Sequence, residues 1–274
     1  MTSILTNNGA MVALQTLNSI NMNLENTQNA ISTGKDVATA KDNSAIWAIS
    51  KVMESDVAGF NAVSDSLALG ESTVAVATAG AEQITDLLRE MKEKVTTATG
   101  ENVDHNKIKA EVDELKKQIT SIIKGSQFNG ANLLNTDGDD LTVLSSLDRD
   151  STGTVTASNI TVSSVDFETS LTLGDVNVSD STQAELSIAK IEALIQTAVD
   201  GAAALGASAA RIEKQAEFVS KVSDAMKSGI GALVDTDMEA ASARLKALQT
   251  QQQLGVQALS IANSAPQTLQ QLFR

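Results

Sequence analysis

Cysteine and tyrosine are absent from this chain of 274 residues, histidine and tryptophan and proline occur once each, and aromatic residues make up 2%. Without cysteine there is neither a disulfide framework nor thiolate chemistry, so packing alone must hold the fold. So few aromatics cannot fill a broad globular core, whereas helices packed along narrow Ala, Leu, Ile and Val seams need few of them. The single histidine, His105, has no cysteine partners for a zinc site, and one histidine supports no Ser/His pair worth naming. Beside Asp104 in a polar stretch, it is expected to be a solvated loop residue. The run Asp137-Gly138-Asp139-Asp140 lacks the closing glutamate of a calcium loop and reads as a solvated turn. No enzymatic activity, metal or cofactor is expected. Bases are scarce as well: 20 Lys and Arg against 34 Asp and Glu leave a net charge of -14. That balance argues against nucleic acid and anionic membrane as partners.

Charge is missing altogether from residues 1–24 and 247–273. The opening MTSILTNNGAMVALQ therefore lacks the basic stretch that starts a secretory signal peptide, and export is expected by another route. The closing stretch ALQTQQQLGVQALSIANSAPQTLQQLFR carries too many Gln, Ser, Asn and Thr to span a membrane. It is instead a helix to be buried beside protein. Steps of three and four connect Met238, Ala241, Leu245, Leu248, Gln252, Gly255, Leu259, Ala262, Pro266, Leu269 and Phe273. The same spacing at the other end connects Ala10, Ala13, Leu17, Ile20, Leu24, Thr27 and Ile31. Two helices with apolar stripes and no ionic face require each other, or copies of themselves. The candidate self-assembly residues are Leu17, Ile20, Leu24, Ile31, Leu245, Leu248, Leu254, Leu259, Ile261, Leu269, Leu272 and Phe273. Because a short helix in water is marginal, about the first 35 and last 40 residues are expected to order only when neighbouring copies bury them.

Between the ends, Asn7 or Asn8 can cap the first helix and Gly34 can stop it. A long second helix carries Phe60, Val63, Leu67, Gly70, Val74, Ala77, Ala81, Ile84, Leu88, Met91 and Val95 without a missed step. A third, with Ile108, Val112, Leu115, Ile119 and Ile122 on one face, is predicted to end at Lys124-Gly125 with the glycine just past the last turn. From about 128 to 183 the helical period gives way to strand-like alternation in LTVLSSL, GTVTASNITVSSV and SLTLGDVNVS. Over 135–185, ten acids against Arg149 alone make this small β-hairpin region face water. The fourth helix repeats the three-four spacing from Ile188 to Leu233, and Thr236 or Asp237 caps the terminal one. The order is close to a palindrome, so the fold class is mainly α: an elongated antiparallel helical hairpin, a coiled-coil rod with a small β-hairpin excursion.

The N-terminal run, QFNG at Gln127 to Gly130, and the ending LGVQALSIANSAPQTLQQLFR resemble bacterial flagellin, and GAMVALQTLN, STGK, AKDNSAIWAI and LVDTDMEAASARL are similar to the short flagellins of alphaproteobacteria. The resemblance covers roughly 1–135 and 186–274. It implies a structural subunit that polymerises into the extracellular flagellar filament used for swimming. It implies terminal inner-core helices at 1–44 and 236–274, a coiled-coil layer at 45–134 and 186–235, and a small acidic β-rich outer segment at 135–185. The implied partners are many copies of itself, a flagellin chaperone on the C-terminal helix, the flagellar type III export apparatus, and the filament cap and hook-associated proteins. It further implies O-linked sugar on the Ser/Thr-rich stretch 142–182. The helix stretch that the innate-immune receptor for flagellin reads corresponds to Leu88 to Val95, where Glu93 or a lysine replaces the central leucine, so weak recognition is expected. Two other readings compete. A hook-filament junction protein would diverge through the long helices and QFNG, and a non-flagellar coiled-coil scaffold would carry charged flanks along its whole length.

Overall fold

The computed structural model describes residues 7–136, 138–150 and 152–272, with side chains as far as 264. The chain is mainly α. Its elements run α1 (Asn8–Thr33), α2 (Ser44–Thr97), α3 (His105–Gly125), β1 (Gln127–Phe128), β2 (Ala131–Asn132), β3 (Leu141–Arg149), β4 (Val155–Val162), α4 (Phe167–Ser170), a 3-10 turn (Leu173–Asp175), α5 (Ser181–Val234) and α6 (Met238–Leu272). The contacts divide into two units, 1–55 with 225–274 and 56–224.

Short polar side chains start each long helix by accepting from its free amides. Asn7 accepts from Ala10 N at 3.1 Å, Asn43 from Ile46 N at 3.2 Å, Asp104 from Lys107 N at 3.3 Å and Asp180 from Gln183 N at 2.8 Å. For α6 the cap is Asp237, which accepts from Glu239 N at 2.9 Å and Ala240 N at 3.1 Å, while the Thr236 hydroxyl has no partner among the described residues. Gly34 ends α1 with φ at 71°, a conformation open to glycine at little cost. Gly125 does not play the expected role. It is the last residue of α3, Ser126 caps the helix through its amide to Ile122 O, and no left-handed residue is needed. The left-handed pair comes four residues later, where Asn129 (φ 50°) and Gly130 (φ 86°) turn β1 into β2.

In the unit 56–224 the core is the seam read from the sequence. All eleven residues from Phe60 to Val95 are buried, with Leu67, Ile84, Leu88 and Met91 wholly so. From α3 come Val112, Leu115, Ile119 and Ile123, with Ile122 only half-buried, and from α5 come Ile191, Ala198, Leu205, Ile212 and Val219. Lys92 pairs with Glu192 between α2 and α5, and Lys94 with Glu111 at 2.7 Å between α2 and α3. Both pairs are solvent-exposed and contribute little beside the apolar seam. Buried threonines on α2 satisfy their own hydroxyls: Thr73 donates to Leu69 O and Thr85 to Ala81 O, both at 2.9 Å.

The acidic excursion has two faces. Its described acids stand at least partly in water, but Leu133, Leu134, Val143, Ile160, Val162, Phe167, Leu171, Val176 and Val178 are buried. β3 and β4 form an antiparallel hairpin with an irregularity between Leu144 and Ser146. Glycines on the helices receive it. A methyl carbon on Gly70 would lie 2.5 Å from Val143, on Gly59 2.8 Å from Leu147, and on Gly201 2.6 Å from Phe167. Gly70 therefore holds its seam position as the seat for a strand.

The third alternating run, 170–179, is not a strand. Asp166 caps α4 through Thr169 N at 3.0 Å, and the following carbonyls are taken by side chains in place of a β partner. Lys116 Nζ donates to Val176 O at 2.7 Å, Lys190 Nζ to Asp175 O at 2.9 Å and Ser187 Oγ to Asn177 O at 2.8 Å. Inward Val176 and Val178 produce the alternation without a ladder. His105 is likewise no loop residue: it opens α3, half-buried, with Nδ1 buried and unpartnered among the described atoms. Asp137 lies outside the described residues.

Candidate self-assembly surface

The unit made of 1–55 and 225–274 is organised by α1 and α6, which pair antiparallel as continuous helices, although their sequence predicts ends that order only on assembly. At one end Asn7 Nδ2 donates to Ala262 O at 2.7 Å, so the residue that caps α1 also ties it to α6. Midway, Gln252 Nε2 donates to Asn21 Oδ1 at 2.8 Å. A methyl on Gly255 would lie 3.2 Å from Leu17 Cδ1, so the glycine lets the helices approach there. Gln252 and Gly255, the two non-apolar breaks in the C-terminal seam, are thus contact positions. At the other end the joints are stitched by backbone, with Asp36 N donating to Val234 O at 2.7 Å and Thr236 N to Gly34 O at 2.9 Å.

This unit contains Glu25, Asp36, Asp42, Glu54, Asp235, Asp237 and Glu239, seven acids, against Lys35, Lys41, Lys51, Lys227, Arg244, Lys246 and Arg274, seven bases. It is neutral, and the unit 56–224 carries the whole of the -14. Hydrogen bonds favour the charged form of two of its carboxylates. Amides and the hydroxyl of Thr39 hold Asp42 below the usual carboxylate range, and Lys51 does the same for Glu54.

The predicted interface residues separate into two sets. Leu17, Ile20, Leu24, Ile31, Leu245 and Leu259 are half-buried and Leu248 is buried, whereas Leu254 and Ile261 are 60% and 64% exposed. The side chains of Leu269, Leu272 and Phe273 lie outside the described residues. Sequence reasoning along one seam missed the companions of the exposed set: Met11, Val12, Leu14, Met22 and Val256 are all more than half exposed. Their signal was a second stripe, Met11, Leu14 and Met22 at i, i+3 and i+11 on an uncharged helix. Soluble monomers seldom leave such stripes bare, and a face of this kind is suited to binding protein. Among the described residues no cluster of three metal-ligating side chains occurs, and no helix is long and apolar enough to cross a membrane.

The family described as the bacterial flagellin N-terminal helical region matches residues 4–139, and the bacterial flagellin C-terminal helical region matches 188–273. This chain belongs to the bacterial flagellin family. It is 42% identical over 277 residues to flagellin FljN of Caulobacter vibrioides, covering all of this chain and 99% of the relative. Flagellin of Brucella melitensis is 40% identical over 282 residues and flagellin A of Rhizobium meliloti 32% over 394, each covered in full with all of this chain. As a flagellin the chain is a structural subunit that polymerises with its own copies into the extracellular flagellar filament used for motility. The matches favour this reading over a junction protein and over a coiled-coil scaffold.

Proposed function

We propose that polymerisation is carried by the bare faces of α1 and α6, with Leu254, Ile261, Met11, Leu14 and Met22 meeting neighbouring copies and Leu269, Leu272 and Phe273 extending the contact. The observation behind this is the coincidence of three properties on one neutral unit: no charge over 1–24 and 247–273, a thin intrachain seam, and exposed aliphatic side chains on the faces turned away from it. Residues 1–44 and 236–274 then form the inner layer of the filament, 45–134 and 186–235 the coiled-coil layer around it, and 135–185 the acidic outer segment. Family membership supports delivery by the flagellar export apparatus with a chaperone on α6, and end contacts with cap and hook-associated proteins.

Electron microscopy of the purified chain after adding salt tests the reading. Long tubes are expected from the wild type. The L254D/I261D variant is expected to keep its helix content by circular dichroism and to form none. Tubes from that variant would remove these residues from the interface.

A further inference from the structure

Two large apolar side chains of the unit 56–224, Leu69 on α2 and Phe218 on α5, are 54% and 56% exposed. Strand β3 lies between them. Leu144 N donates to Ser66 Oγ at 3.2 Å, and Ser145 O accepts from Gln215 Nε2 at 2.8 Å. Ser66 is three residues before Leu69 and Gln215 three before Phe218, one helical turn in each case. Because α2 and α5 run antiparallel, with Lys92 paired to Glu192, the two side chains stand on the two sides of the strand and about 9 Å apart along the helix axes.

Their surroundings differ in shape and sign. Leu69 lines an open groove of about 120 Å³ with Thr73, Phe128, Ala131, Leu141 and Thr142. No lysine or arginine occurs between Lys51 and Arg89 or between Lys124 and Arg149, so the charges nearest the groove in sequence are acids: Glu71, Asp65 one turn before Leu69, and Asp139 and Asp140 just before Leu141. Phe218 shares its face of α5 with bases, Arg211 and Lys214 two turns and one turn before it and Lys221 one turn after, while Glu213 and Glu217 lie off that face. Lys221 pairs with Glu217 at 2.6 Å, while Arg211 and Lys214 are exposed and enter no ion pair among the described residues.

We propose that Phe218 of one copy seats in the Leu69 groove of the next, with its Arg211 and Lys214 against the partner copy's acidic rim. Two such units carry like net charge, and a contact that sets bases against acids avoids the repulsion of a random encounter. Knob and groove are different surfaces, so the contact is head-to-tail and propagates; it does not close a two-fold pair. This rests on the filament reading above and adds to it a lateral contact outside α1 and α6.

The chain has no cysteine, which makes cross-linking clean. L69C and F218C chains are each mixed as a small share into wild-type filaments, separately and together, and oxidised. Covalent dimers are expected from the joint mixture, and each variant alone is expected to give none. The R211E/K214E variant is expected to raise the critical concentration for assembly, and adding D65K to that chain to lower it again. Filaments in which the joint mixture yields no dimer, or in which either variant alone yields as much, would overturn the lateral contact and leave the filament reading standing. Wild-type chain that forms no tubes would strike the filament reading itself.

Discussion

Gly70 of α2 lies beneath Val143 of β3 so closely that a methyl carbon on the glycine would stand 2.5 and 3.0 Å from the two valine methyls and 3.3 Å from its Cβ. Alanine is the better helix former by about 1 kcal/mol. Overpacking a stiff, β-branched neighbour that is 2% exposed costs more, about 1 to 3 kcal/mol. G70A is therefore expected to be less stable than wild type by up to about 2 kcal/mol by thermal or urea unfolding. In G70A/V143A the two losses should be less than additive, since the clash has gone. A rise in melting temperature for G70A would show that propensity wins and that β3 can lift.

Leu88 and Ile212 are wholly buried in the seam between the long helices. An aspartate at either place puts an unpaired carboxylate in an apolar layer, at a cost on the order of 4 kcal/mol. Circular dichroism of L88D and I212D should show a lower midpoint and, at working temperature, lost helix. Unchanged melting would mean that the seam opens at those positions.

Asp166 caps α4 and accepts from the Thr169 hydroxyl and amide, which hold its carboxyl below the ordinary 3.8; Asp150 is lowered in the same way, first by the Thr152 hydroxyl and then by the Thr154 amide. For a depressed acid the unfolded chain takes up the proton first, so its stabilisation is complete above the ordinary carboxylate range and disappears as pH falls through the folded value. The melting temperature should hold level from about pH 7 to 5 and fall below about pH 4. D166N should flatten part of that acid-side slope. An identical slope would deny Asp166 any share in it.

The α1 and α6 pair buries fully only Thr27, Ala241 and Leu248 among its described residues, a slight hold on two helices of 26 and 35 residues. Local opening follows packing density, so this pair should be the first part of the monomer to yield. Limited proteolysis is expected to trim the monomer from both ends to a core of about 45–235, to spare the filament, and to leave a core unable to polymerise. Termini as resistant as α2 would contradict that order of stability.

The long helices were legible because apolar residues repeat along them: three-four spacing from Phe60 to Val95 lands on a buried residue at every step, including small Ala77 and Ala81. What spacing could not name was the identity of the neighbour. Gly70 sits in the periodic row yet receives a strand, because a glycine in a helix looks the same whether a helix or a sheet approaches it. Val176 and Val178 alternate as strand residues do, but Lys116, Lys190 and Ser187 satisfy the backbone that a partner strand would have paired, and those lysines lie 60 and 15 residues from the carbonyls they reach. Likewise the three-four seam holds Leu248 and leaves out Leu254, but spacing alone does not say that the second face stays bare when α1 covers the first.

A chain with every net charge in one unit and none in the other meets two opposed demands of a long polymer. Stacking through the neutral unit, as proposed above, would set no net charge against net charge, so that contact would need no counterion captured at each step. The fourteen negatives repeated on every subunit make the finished fibre a polyelectrolyte. Its mutual repulsion keeps neighbouring fibres from adhering side by side until the pH approaches 4.4 or salt screens it.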